Sequence, residues 1–236
     1  MGKHSGFRKL LVAVAGISLS VLGAATTNAA YTTIQSPWPG EASQSQILSH
    51  SYGGNFVQSG LNFTNGKVTA VRVDDSKDQV FHFDIASIKT LSAFSGGSQG
   101  LAFGTLDNEH KLFDVTGKNY SAVGGTGHID MPSSYSLIRT GTGQDYSSNV
   151  SVNPDGADHL VTYLLKGVKG KDATYVMFWE DQTAKKSDFD YNDFAIQVKS
   201  GCATVVPLPA AAWSGLVTLA GGALVTGYRK ARRQMA

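Results

Sequence analysis

The sequence predicts an all-β fold, an antiparallel β-sandwich of jelly-roll type, over residues 61–200. Three observations point there. Short alternating or apolar runs recur between clusters of Gly, Asn, Asp and Ser, which is the punctuation of strands and turns rather than of βαβ units. No stretch outside the two chain ends keeps a helical period for three turns. The run Ala173–Trp179 is apolar along nearly its whole length, as a strand buried in a sheet would be.

Taken in order, the chain opens with Lys3, Arg8 and Lys9, an apolar run over 10–25, and small residues up to Ala29. That is the layout of a secretory signal helix over 1–29, with Thr27 and Ala29 at the small-residue positions and cleavage after Ala29. Residues 30–60 are rich in Ser, Gln, Gly and Pro, with Trp38 between two prolines, and read as an irregular N-terminal arm. Residues 67–73 alternate, with Val68, Ala70 and Arg72 on one face. A turn follows over 74–78, and then Phe81, Phe83 and Ile85 share a face. Residues 101–106 and 111–115 read as a hairpin around 107–110.

Glycine-rich loops occupy 95–100 and 124–127. Within the first, Gly96, Ser98 and Gly100 have the spacing of a hydrolase nucleophile elbow. That elbow needs a helix after the serine, and a strand-like run follows instead, so the segment reads as a loop. Residues 157–165 form a further strand. The parity of apolar residues then breaks at Asn192-Asp193, which puts a turn or bulge before a closing strand over 194–198.

Charge narrows the function. Of 20 Lys and Arg, three lie in the leader and four in the tail, whereas all 18 acidic residues lie between, so the mature domain carries about −5. Nucleic acid is excluded as a partner, because phosphate binding needs a basic face. Cys202 is the single cysteine and has no internal disulfide partner, and no Cys/His cluster has zinc spacing. The histidines outside the leader show no metalloprotease spacing, and His82 and His159 read as half-exposed strand positions.

The acidic stretch after Trp179 carries the candidate chemistry. Asp188, Asp190 and Asn192 follow the D-x-D-x-N start of a calcium loop, which needs several hard oxygen ligands. Glu180, Asp181 and Asp193 add carboxylates if the two strand ends meet. The stretch departs from an EF-hand, with Asp193 where the glycine would stand and Lys199 at the twelfth position. Two readings stay open, a calcium site and an acidic turn whose side chains cap backbone amides.

The hydrophobic strand ending in Glu180-Asp181, followed by Asp190-Tyr191-Asn192-Asp193 and a closing strand, resembles the DUF4114 domain over 158–198. That resemblance implies a β-rich module of secreted and surface bacterial proteins. The tail over 201–236 has three parts: Val206-Pro207-Leu208-Pro209-Ala210, an uncharged span over 210–228, and the basic cluster Arg229, Lys230, Arg232 and Arg233. The span is close to the ~20 residues a helix needs to cross a bilayer, and the basic cluster would stay cytoplasmic. Ser, Thr and Gly dilute the span for a permanent anchor. The three-part order resembles the PEP-CTERM sorting signal in its VPLPA variant, with Leu208 where the commoner form has glutamate.

That second resemblance implies processing by signal peptidase and an exosortase, transient anchoring through a C-terminal transmembrane helix, and hosts that make exopolysaccharide. A plain membrane anchor is the alternative for the tail. For the whole chain the expectation is a non-enzymatic, exported envelope or extracellular-matrix protein. A carbohydrate-binding module assisted by calcium, and a secreted hydrolase, are the alternatives. Exposed aromatics beside the acidic turn would favour the first of these, and a cleft holding two carboxylates with perturbed pKa the second.

Overall fold

The computed structural model describes residues 31–83, 85–121, 125–130, 133–201 and 203–205. Two antiparallel sheets pack as a sandwich. The larger runs β1 (Val57–Ser59), β2 (Asn62–Thr64), β3 (Thr69–Arg72), β11 (Leu160–Lys166), β12 (Ala173–Trp179), β13 (Phe194–Ser200), β5 (Ala86–Ala93) and β8 (Thr126–Ile129). The smaller runs β14 (Ala203–Val205), β4 (Phe81–Phe83), β9 (Ser133–Gly141), β6 (Gln99–Thr105) and β7 (Asn108–Val115), with β10 (Tyr146–Ser147) on β9. The leader with Ala29, Cys202, the motif at 206–210 and the basic cluster at 229–233 lie outside the described residues. Among the described residues no helix is long and apolar enough to cross a membrane.

β12 shows why this sequence needs a core on both sides of one sheet. Its side chains alternate between faces because a strand has period two. Tyr175, Met177 and Trp179 join Phe81, Phe103 and Leu137 between the two sheets. Val176 and Phe178 join Ile47, Leu48 and Tyr163 on the opposite face. A strand apolar on both parities is therefore central and doubly covered, as its composition predicts.

The cover on that outer face corrects the expectation of an irregular arm. A helix, α1 (Gln44–Tyr52), lies within residues 30–60. Ser43 caps it: its Oγ accepts from Gln46 N at 3.4 Å, and Ser43 N donates back to Gln46 Oε1 at 2.8 Å. Gly53 ends it with φ 75°, donating its N–H to Ser49 O at 2.9 Å. Only Ile47 and Leu48 reach full burial among its apolar residues. A helix this short leaves no three-turn period in the sequence, and it forms because the sheet beneath buries that pair.

Three other expectations shift. Phe81 and Phe83 share a face as predicted, and it is buried, but Ile85 is 61% exposed. The chain crosses from the smaller sheet to the larger between β4 and β5, so Ile85 sits at a corner and the shared face ends at Phe83. The hairpin of β6 and β7 turns at Leu106-Asp107, since Thr105 pairs with Asn108, and the predicted turn residues 108–110 belong to β7. The glycine-rich segment read as a loop over 95–100 is one only up to Ser98, because Gln99 and Gly100 open β6, and of the segment 124–127, Thr126 and Gly127 belong to β8.

Candidate metal centre

One end of the larger sheet gathers the chemistry. Leu160 at the start of β11 pairs with Trp179 at the end of β12, and Trp179 pairs with Phe194 at the start of β13. Residues just before β11, just after β12 and just before β13 therefore meet at a single edge. The loop entering β13 curls there through two left-handed residues that are not glycine, Phe189 at φ 56° and Tyr191 at φ 55°. Such conformations are costly for aromatic residues and persist only where surrounding structure enforces them. Tyr191 is fully buried, and its hydroxyl donates to Asp158 O at 2.8 Å.

The curl divides the six predicted ligands into two groups. Glu180, Asp181 and Asp193 each offer a carboxylate oxygen within 4.8 Å of the others. Asp193 Oδ2 accepts Asp181 N at 2.8 Å, and its backbone oxygen accepts Phe94 N at 2.9 Å. Glu180 Oε1 accepts Gln182 N at 3.2 Å, while Oε2 is buried without a partner. Asn192 Oδ1 is likewise buried without a partner. Its amide instead donates to Asp190 Oδ2 at 2.5 Å, and its backbone N donates to Asp190 Oδ1 at 3.0 Å.

Asp188 and Asp190 form the second group, and their third member is Glu41. Asp188 and Asp190 do come together as the D-x-D-x-N spacing suggested, but Asn192 meets Asp190 with its amide N–H rather than with an oxygen. Glu41 arrives from the arm, which is held by Gln35 N donating to Phe189 O at 2.8 Å. Nothing in a lone glutamate of a polar arm marks it as a partner for a loop so distant in sequence. Trp38, 65% exposed, lies in the same turn, where its carbonyl accepts Glu41 N at 3.1 Å.

Arg139 is the other contributor that sequence reasoning missed. Fully buried, it places Nη2 3.4 Å from Asp181 and donates from Nε to Gln99 Oε1 at 2.7 Å. Ser95 Oγ and Gln99 Nε2 also donate to Asp181. His159 corrects another expectation. It is buried, stacked on Tyr146 with centroids 3.6 Å apart, and its Nε2 lies 3.1 Å from Asp155. Lying just ahead of β11 in the packed edge, it escapes the strand alternation that would half expose it.

Electrostatics follow from crowding these acids away from water. Burial pushes the Asp193 carboxyl up to about 10, with the charges of Glu180 and Asp181 adding to it. Burial raises Glu180 as well. Asp190 is pushed up to about 7 by burial, then by Asp188, Glu180 and Glu41. Arg139 supplies one positive charge to three carboxylates. The donors are all hard oxygens, and two buried oxygens have no partner, so the set fits a calcium ion, which takes six to eight such ligands.

The fold and this edge together define an antiparallel β-sandwich module with an acidic, oxygen-lined loop end. A family described as a domain of unknown function, DUF4114, matches residues 129–201, a segment that runs from the end of β8 through β13 and holds Glu180, Asp181, Asp188, Asp190 and Asp193. No curated protein matches the chain. Among solved structures, a Chromobacterium violaceum lectin in complex with alpha-methyl-fucoside is 19% identical, with 52% of this chain and 95% of that chain covered and a TM-score of 0.36. The C-terminal domain of a Burkholderia cenocepacia lectin is 14% identical, with 52% and 94% covered and a TM-score of 0.35. A Ralstonia solanacearum high-affinity mannose-binding lectin is 16% identical, with 51% and 94% covered and a TM-score of 0.34. At that level the likeness carries no argument about what this chain binds.

Proposed function

We propose that this chain is an exported, non-enzymatic β-sandwich module that binds calcium at Glu180, Asp181 and Asp193 and engages a matrix polysaccharide through the loops so ordered. The observation that carries the reading is the pit of three carboxylates, in which the buried Glu180 Oε2 makes no well-formed hydrogen bond and faces the Asp193 carboxyl. An uncompensated buried carboxylate is costly, and a divalent cation relieves both its charge and its missing contact. Glu41, Asp188 and Asp190 form a further acidic group in the same loop region, where Asn192 Oδ1 is a buried oxygen without a partner.

Carbohydrate is favoured as the ligand class because Trp38 presents an exposed ring beside Glu41, the arrangement in which an apolar sugar face and its hydroxyls are both met. A hydrolase would use the raised carboxylates as an acid–base pair. Glu180 and Asp193 are 1% and 8% exposed, which leaves a substrate no room between them, whereas Asp190 lines a cavity of about 180 Å³. The protein should be retained on immobilised host exopolysaccharide in calcium and released by chelator. Trp38→Ala should weaken that retention about tenfold. Absence of retention in both conditions would remove the polysaccharide reading, and equal retention in both would remove calcium's part in it.

The tail supports a matching life history. Its proline motif at 206–210, dilute span and basic cluster suit removal by an exosortase after secretion. Cleavage after Ala29 by signal peptidase would free the other end. Intact mass of protein released from its native host should then lack residues 1–29 and the basic cluster at 229–233. A mass that retains Ala236, in protein firmly bound to membrane, would mark a plain anchor instead.

A further inference from the structure

A third acidic cluster lies at the same edge but belongs to different elements. Asp75 and Asp78 come from the turn after β3, and Asp158 from the residues before β11. One carboxylate oxygen of each lies within 4.8 Å of the others. Asp78 is fully buried, and both of its oxygens lack a hydrogen-bond partner. Buried polar atoms are nearly always paired, so two orphans on one carboxylate call for an explanation. The Thr162 hydroxyl on β11 is also fully buried and faces Asp78, the two making only a loose contact.

Charge counting points the same way. Arg72 Nη2 bonds Asp75 Oδ1 at 2.7 Å and compensates one carboxylate. Asp158 Oδ1 accepts Leu160 N at 3.1 Å, a neutral donor. With all three acids ionised, the cluster and Arg72 together carry −2, the charge that one divalent cation cancels.

We infer that Asp75, Asp78, Asp158 and the Thr162 hydroxyl form a second, structural divalent-cation site, suited to calcium by its hard oxygens. The ion would clip three parts of the chain together. Asp75 accepts the backbone N–H of Thr32, so the arm is tied in. Gln79 Nε2 donates to Asp75 O at 2.7 Å, and Gln79 O accepts Ser148 Oγ at 2.8 Å, so the turn also reaches the smaller sheet. The site does not depend on the one at Glu180, since the two share no ligand.

Calorimetric titration of the chelator-stripped protein with calcium alone tests this. Asp78→Asn should lower the stoichiometry by one ion per chain and leave the ion lost in Asp193→Asn in place. Unchanged stoichiometry in Asp78→Asn overturns the inference. Because that variant risks misfolding, wild-type crystals soaked in terbium give an independent answer. An anomalous peak among Asp75, Asp78 and Asp158 supports the site, and its absence at full occupancy elsewhere overturns it. Loss of the Glu180 ion alone would refute the proposed function and leave this inference standing.

Discussion

In chelator, the melting temperature of the protein should fall as pH rises from 5 to 9, and calcium should abolish most of that fall. An unfolded aspartate titrates near 4, while Asp190 in the fold titrates near 7 and Asp193 near 10, both raised first by burial. Between those values the folded chain holds protons that the unfolded chain has released. Stability is therefore greatest below pH 4 with respect to these groups and is lost as pH climbs through the folded values, at about 1.4 kcal/mol per pH unit for each proton held. Calcium replaces the protons, so its binding strengthens over the same range. A hundredfold excess over Kd adds about 2.7 kcal/mol.

The gap between the calcium and chelator curves should thus widen from pH 5 to pH 9. Asp193→Asn should be flatter in chelator and deaf to calcium at the Glu180 edge. Parallel curves for the wild type would return the edge to a capped, proton-sharing turn.

Trp179→Ala should lower the urea midpoint by about 2 M. Trp179 is fully buried between the sheets, paired with Leu160 and Phe194 at the end of β12. Deleting a buried indole costs about 3–5 kcal/mol in lost transfer energy and residual cavity. At an m-value of about 2 kcal/mol/M, that gives the stated shift. Because Trp179 Nε1 has no partner, Trp179→Phe forfeits packing but no hydrogen bond and should cost far less. The alanine variant should also bind calcium more weakly at the edge, since Glu180 directly follows the residue that holds the strand end in place. A midpoint shift under about 0.5 M would show that this strand end is not packed as described.

Periodicity alone determined the sandwich and the central position of β12 and put Ala70 and Arg72 on one face, because a strand's alternation separates its two sides, and the structure buries that face. The break of parity at Asn192-Asp193 likewise located the start of β13. The meeting of Glu180 and Asp181 with Asp193 was legible as a conditional, since two strand ends had to be neighbours for it to hold. Only the tertiary structure decided the rest. It recruited Glu41 and Arg139 to the acidic edge, made α1 from an arm without a helical period, and moved His159 from a strand face into a stack with Tyr146. It also set Asp78 in a buried cluster that no local motif announces. Each of these depends on contacts between segments far apart in the chain, whose burial a local pattern does not encode.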